Sequence, residues 1–210
     1  MIVVAEPRSG ATKFCIDLAE KHGKVFHGEL LLCNMNEDGY QSLKPSVHET
    51  AYDVPPLNYD NVHEVLFDKP DDVYLCNNEL ALAVINKADY IVMRKSHVDT
   101  VVSVLNFWLR LNKQAGVELD VGMGNPPTAL SLAGDNIVRT TISFSYFLCR
   151  YCVENNIKPV WYEDMPYSKP VATETLDTLY NKDWIVKQSL NIFNNYDMEF
   201  FKQTLLTKFP

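Results

Sequence analysis

No apolar stretch in the chain approaches the roughly 20 residues that a membrane-spanning helix needs, so no span is expected. The start also lacks a basic segment ahead of its apolar stretch. Met1 to Ala5 therefore reads as a first core strand and not as an export signal. There is no internal repeat and no low-complexity tract. The Gly-x-x-x-x-Gly-Lys-Ser/Thr loop of nucleotide triphosphatases is missing, and so are Gly-x-Gly-x-x-Gly and Gly-x-Ser-x-Gly. Positive charge is scarce: Lys and Arg total 19 against 27 Asp and Glu, a net charge of −8. That balance argues against broad nucleic-acid binding, which relies on a basic face. It leaves room for one small anion, because a local cluster of N–H groups and cations overrides the global field.

Cysteine is modest and odd in number, five in all, which with no export signal implies reduced thiols in a cytoplasm. Cys149 and Cys152 fall in a helical pattern with no second pair and no nearby His, so buried thiols are favoured over a metal site. His48 and His63 lack ligand spacing, and no metal is expected.

What is present fits one α/β domain over residues 1–210. The length supports a sizeable core, and the 47% apolar and 22% charged content is ordinary for a soluble globular protein. Strand and helix patterns alternate, which argues for a central, mostly parallel sheet. Strands are expected at Ile2–Ala5, Lys24–Leu32, Asp72–Cys76, Asp89–Arg94 and Lys158–Tyr162. Helices are expected at Ala11–His22, Glu79–Lys87, Asp99–Lys113, from a cap at Asp135 to about Asn155, at Thr173–Tyr180 and at Met198–Leu206. Residues 34–72, rich in Pro, Asp, Asn and His, read as a long, partly helical excursion. Residues 116–134, with four Gly and two Pro, read as a mobile loop. Both are candidate lids over a site.

The chemistry concentrates after the first strand, at Glu6-Pro7-Arg8-Ser9-Gly10-Ala11-Thr12-Lys13. A strand, a tight turn and a helix aim backbone N–H groups and a helix dipole at an anion. Arg8 and Lys13 add positive charge, while Ser9 and Thr12 add hydroxyls. Plain strand–helix architecture is the alternative. A second cluster ends the Tyr90–Arg94 stretch, where Arg94-Lys95 precedes a helix carrying Ser103. In a parallel sheet the ends of strands and the starts of following helices share one rim, so this cluster can meet the first. A third, Tyr162-Glu163-Asp164-Met165, ends a late strand. Glu163 and Asp164 are expected to order loops by pairing with a basic residue or capping backbone.

In these motifs the chain resembles the sulfotransferases that use 3′-phosphoadenosine-5′-phosphosulfate (PAPS), and among them the short bacterial or phage-type members. Their 5′-phosphosulfate loop reads Pro, Lys or Arg, Ser, Gly, then two Ser or Thr, against Pro7-Arg8-Ser9-Gly10-Ala11-Thr12 here. Their 3′-phosphate motif is a strand ending in Arg and then a Ser eight or nine residues on; Lys95 and Arg94 lie eight and nine residues before Ser103. A Gly-Glu after the first helix is matched by Gly28-Glu29, and a Tyr-Glu-Asp-Leu by Tyr162 to Met165. The likeness covers roughly residues 1–32 and 89–180. Ala11 replaces a frequent hydroxyl residue, Lys95-Ser96-His97 stands where a Pro is common, and no C-terminal Arg-Lys-Gly element is present.

The resemblance implies a three-layer fold similar to that of P-loop nucleotide triphosphatases. It also implies transfer of a sulfuryl group from PAPS to an acceptor hydroxyl on a small molecule or glycan. Arg8 would hold the 5′-phosphosulfate and stabilise the bridging oxygen, with Ser9, Gly10, Ala11 and Thr12 donating through backbone N–H groups. Lys13 is either a second cation or solvent-facing. Arg94, Lys95 and Ser103 would take the 3′-phosphate. Glu29 is the favoured general base and His27 its rival; in an extended stretch the two share a face. The plain alternative is a strand-end His and a solvated Glu. His97 either touches phosphate or caps a helix. A non-enzymatic anion- or protein-binding relative and, further off, a small nucleotide kinase are the other functions considered. Oligomeric state is open.

Overall fold

Strand β1, Ile2–Ala5, forms where β-branched residues run together, and Val3, Val4 and Ala5 have no exposed surface. Such a run, apolar at every position, is the mark of a strand covered on both faces, as in parallel sheets. The computed structural model describes residues 1–35, 41–45, 52–54, 64, 71–77, 80–114, 129–171 and 198–210. They fall into two compact units, Met1–Ala5 with Ser9–Val92, and Glu6–Arg8 with Met93–Pro210.

In the first unit β1 is central. On one side it pairs in parallel with β5, Val73–Cys76, matching Ile2 to Tyr74 and Val4 to Cys76. On the other it pairs in parallel with β6, Tyr90–Met93, matching Val3 to Tyr90 and Ala5 to Val92. The Asp89 carboxylate fixes that register by accepting the Ile2 N–H at 2.8 Å. Strand β2, Phe26–Met35, pairs in parallel with β5. Strands β3, Gln41–Pro45, and β4, Tyr52–Val54, add antiparallel edges beyond β2. The strand order is β4-β3-β2-β5-β1-β6-β7, β7 being Val160–Trp161 of the second unit. The protein is thus an α/β fold on a five-strand parallel sheet with helices flanking it, as the alternating pattern predicts.

Helix α1, Ala11–His22, has the predicted bounds. Cys15, Leu18 and Ala19 lie on its buried face, and it packs on β1, β2 and β5. It stops at Gly23, whose φ of 62° is the left-handed cap that ends many helices. The short helix α2, Leu80–Val84, packs on β1 and runs into a 3-10 turn at Ile85–Lys87.

The second unit carries α3, His97–Gln114, α4, Ala129–Glu154, and α5, Met198–Lys208. Helix α4 packs on both others. Val101, Val102 and Leu105 of α3, Ile142, Leu148, Cys149 and Cys152 of α4, and Leu205 of α5 are buried. Side chains of this kind are worth roughly 1.5–3 kcal/mol each when withdrawn from water. No helix among the described residues is long and apolar enough to cross a membrane.

Three expectations need correction. Helix α4 begins at Ala129, so residues 129–134 belong to it and not to the loop expected over 116–134, and Asp135 lies inside the helix instead of capping it. The apolar, helix-favouring residues after Pro127 outweigh the roughly 1 kcal/mol cost of an interior Gly134. The excursion over 34–72 contains β3 and β4, which its weak periodicity did not signal, because pairing on the edge of β2 supplies their order. The register also shifts along β2. Phe26 faces Val73 while Glu29 faces Leu75, so three residues span two of β5, with Gly28 at a φ of 83°. The expected helix over Thr173–Tyr180, and residues 115–128 of the expected lid, lie outside the described residues.

Candidate anion-binding site

The loop after β1 has the geometry its sequence suggests. Arg8 adopts a φ of 61°, a conformation costing a non-glycine residue on the order of 1 kcal/mol. Gly10, at φ 71°, caps α1 without any side-chain hydrogen bond, and the first intrahelical bond runs from the Phe14 N–H to the Gly10 carbonyl at 3.2 Å. The N–H groups of Ala11, Thr12 and Lys13 precede that bond, and no acidic residue stands in the first turn to oppose the dipole. Ser9 and Ala11 are buried and Thr12 is exposed. Lys13, also exposed, forms an ion pair with Asp17 one turn on, which raises its pKa and directs it along the helix surface.

The second motif assembles within the second unit, which also contains Arg8. The Arg94 side chain is buried, and its Nε donates to the Arg8 carbonyl at 3.0 Å. Its guanidinium lies 4.1 Å from the centroid of the Tyr162 ring and 3.9 Å from Glu163 Oε1. The Lys95 N–H donates to Glu163 Oε2, and Lys95 Nζ pairs with Asp164, both at 2.8 Å. Glu163 and Asp164 thus take the ordering role expected of them. Ser96 caps α3, its Oγ accepting the Asp99 N–H at 3.2 Å, and His97 is buried at the helix start. Half-buried Ser103 lies one turn before Phe107, whose ring centroid is 4.9 Å from the Arg8 guanidinium. Arg8, Arg94 and the α3 face bearing Ser103 are therefore neighbours.

Comparison with family models, with curated proteins and with solved structures finds no match for this chain.

The two candidate bases are placed differently from the loop. His27 stands at the start of β2, next to Phe26, which is level with Val73 and so with the beginning of β1. Its Nε2 bonds the Asp72 carboxylate at 2.8 Å, and its ring stacks on Tyr74 at 4.8 Å. At about 3.3 Å per residue it lies roughly 10 Å along the strand direction from the end of β1 that leads into the loop. Glu29 pairs with Leu75, level with Val3, and its side chain, and with it the shared-face expectation, lies outside the described residues. The structure does not bring His27 to the loop.

Burial pushes the thiols of Cys15, Cys149 and Cys152 up to about 12, so the Cys149–Cys152 pair is inert packing. Among the described residues no cluster of three or more His, Cys, Asp or Glu is arranged to hold a metal ion.

Sequence reading missed a buried charge cluster behind the loop. Glu6 has no exposed surface; its Oε2 accepts the Arg94 N–H at 2.8 Å and the Thr100 hydroxyl at 3.2 Å, and its Oε1 lies 3.6 Å from Lys202 Nζ. Burial lowers the Lys202 pKa, but Glu6, with smaller help from Cys149 and Glu163, outweighs it and the net shift is upward. The lysine stays cationic. One signal was available: Lys202 interrupts the stripe Met198, Leu205, Phe209 at helical spacing.

Proposed function

We propose that this chain is a sulfotransferase that takes PAPS as co-substrate and an acceptor hydroxyl as the second. The observation that carries this reading is the strained Arg8, its carbonyl held by Arg94 and its guanidinium lying against α3. Strain in a non-glycine residue persists only where surrounding contacts enforce it, and it collects at ligand clamps. The motif likeness supplies the chemistry, and the three-layer, P-loop-like arrangement is part of the same proposal. Ligands of open parallel α/β sheets bind beyond the carboxyl ends of the strands, where the loop after β1 lies.

When bound, PAPS supplies the sulfuryl group. The chain's own part is positioning and charge stabilisation, which carry most of the catalysis in related phosphoryl transfers. Arg8 neutralises charge on the bridging oxygen, and backbone N–H groups from Ser9 to Thr12 orient the phosphosulfate. Arg94, Lys95 and Ser103 take the second phosphate, Lys95 exchanging Asp164 for it. Glu29 is the base in this proposal; it follows the register shift of β2, an irregularity of the kind that is common next to active sites.

Titration calorimetry with adenosine 3′,5′-bisphosphate, the desulfonated product, tests the site. Micromolar binding that is lost in both Arg8→Ala and Arg94→Ala supports it, and absence of binding by the wild type overturns it. A ligand at 100 times its Kd also stabilises by about 2.7 kcal/mol, which a melting curve reads independently. A second reading is an anion-binding relative without turnover, favoured by the engagement of Arg94 and Lys95 with Glu163 and Asp164. Transfer of labelled sulfate to any member of an acceptor panel excludes it.

A further inference from the structure

Glu6 lies two residues before Arg8, the first anion-binding group of its unit; Arg94 opens the second segment, and Thr100 sits one turn before Ser103 on α3. A single carboxylate without exposed surface bonds the Arg94 N–H and the Thr100 hydroxyl while covalently joined to the Arg8 loop. Its counter-charge, Lys202, is 1% exposed and comes from α5. Apolar residues of similar volume often stabilise a fold as well as a buried ion pair does, so stability alone gives little reason for this one. Its location gives a better reason. The carboxylate links the backbone of both segments, and Lys202 cancels a negative charge that would otherwise oppose an anion at close range.

We infer that Glu6 is a positioning residue: it fixes the spacing between Arg8 and the Arg94–Ser103 segment and thereby selects ligands carrying two phosphate or sulfate groups over ligands carrying one. The inference rests on the anion site proposed above. A ligand with one phosphate engages one segment and is indifferent to the spacing. A ligand with two is bound well only when both segments are held at the distance its ribose sets.

The test compares the Kd of adenosine 3′,5′-bisphosphate with that of adenosine 5′-monophosphate by calorimetry. Glu6→Gln is combined with Lys202→Met so that no buried charge is left without its partner, and Thr100→Val, nearly isosteric, removes one bond to Glu6 and serves if the double variant does not fold. The double variant should weaken bisphosphate binding about tenfold, the scale of one lost bond to a charged group. Monophosphate binding should change less than about threefold, so the ratio of the two collapses. Thr100→Val should weaken the bisphosphate alone, by about threefold. Two outcomes overturn the inference while leaving the site intact: an unchanged ratio with both affinities kept, or equal loss of both ligands, which marks a merely structural role. Failure of the wild type to bind either nucleotide overturns the site itself, and the inference with it.

Discussion

Replacing Lys202 by methionine keeps most of the side-chain volume and removes one charge from a place that water does not reach. The ammonium lies 3.6 Å from Glu6 Oε1, with the two side chains 1% and 0% exposed. At an effective dielectric of about 20, two unit charges at that separation attract by about 5 kcal/mol. Breaking buried pairs from one side costs roughly 3–5 kcal/mol, because a charge stays buried without compensation. For a chain of this size each kcal/mol moves the melting temperature by about 2–4 °C, so Lys202→Met should melt roughly 6–20 °C below the wild type. Adding Glu6→Gln should recover at least about half of that loss, since removing both charges of a buried pair is often close to neutral. Differential scanning calorimetry of the wild type, both single variants and the double variant at pH 7 gives the coupling directly. A Lys202→Met protein melting within about 2 °C of the wild type would refute the claim that this pair is buried and coupled.

Arg8→Gly should be more stable than Arg8→Ala by about 1 kcal/mol, because only glycine accepts a φ of 61° without strain; urea denaturation of the two variants measures it. Gly23→Ala should cost about 1 kcal/mol from backbone strain alone, since nothing lies within 4 Å of an added Cβ, and Gly23→Asn should cost less in the same assay. Stability should fall as pH rises above about 9. There the unfolded chain releases thiol protons that the folded chain keeps, Cys15, Cys149 and Cys152 being pushed up to about 12, at up to about 1.4 kcal/mol per pH unit for each thiol. Lys202, with its pKa raised by Glu6 against the effect of burial, adds a further loss above its ordinary value near 10.5. Denaturation midpoints between about pH 7 and 10.5 show the thiol effect, those from about pH 10.5 to 12 add the lysine's, and a flat profile contradicts both. The same three thiols and Cys76 should resist a thiol reagent at pH 8 until the protein unfolds.

The elements that were legible in the sequence are those whose local signals agree with their surroundings. Helix α1 carries an apolar stripe, a left-handed glycine before it and another after it, and its bounds match. Strands β1, β5 and β6 are short apolar runs bounded by polar residues, and their burial follows. Strands β3 and β4 were not legible, because pairing to β2 and not their own pattern orders them. The register shift of β2 between Phe26 and Glu29 was not legible for a related reason: such an irregularity is a property of the ladder and not of one strand. Of the candidate site, Arg8 and Arg94 were singled out from their places at strand ends. Their mutual contact, the stacking of Arg94 on Tyr162 and the Glu6–Lys202 pair were not.

Composition and periodicity by themselves settled the α/β class, the mostly parallel sheet and the turn that precedes α1, since these depend on residues close in sequence. Long-range packing decided where charge resides. Glu6 and Lys202 are 196 positions apart; Glu6 reads as an ordinary surface residue in any local window, and Lys202 shows only as a charge on an apolar stripe, with no sign of its partner. They become a buried pair only when the chain folds the loop after β1 and α5 into the same interior. Desolvation and Coulomb attraction depend on distance in space, which local sequence does not encode.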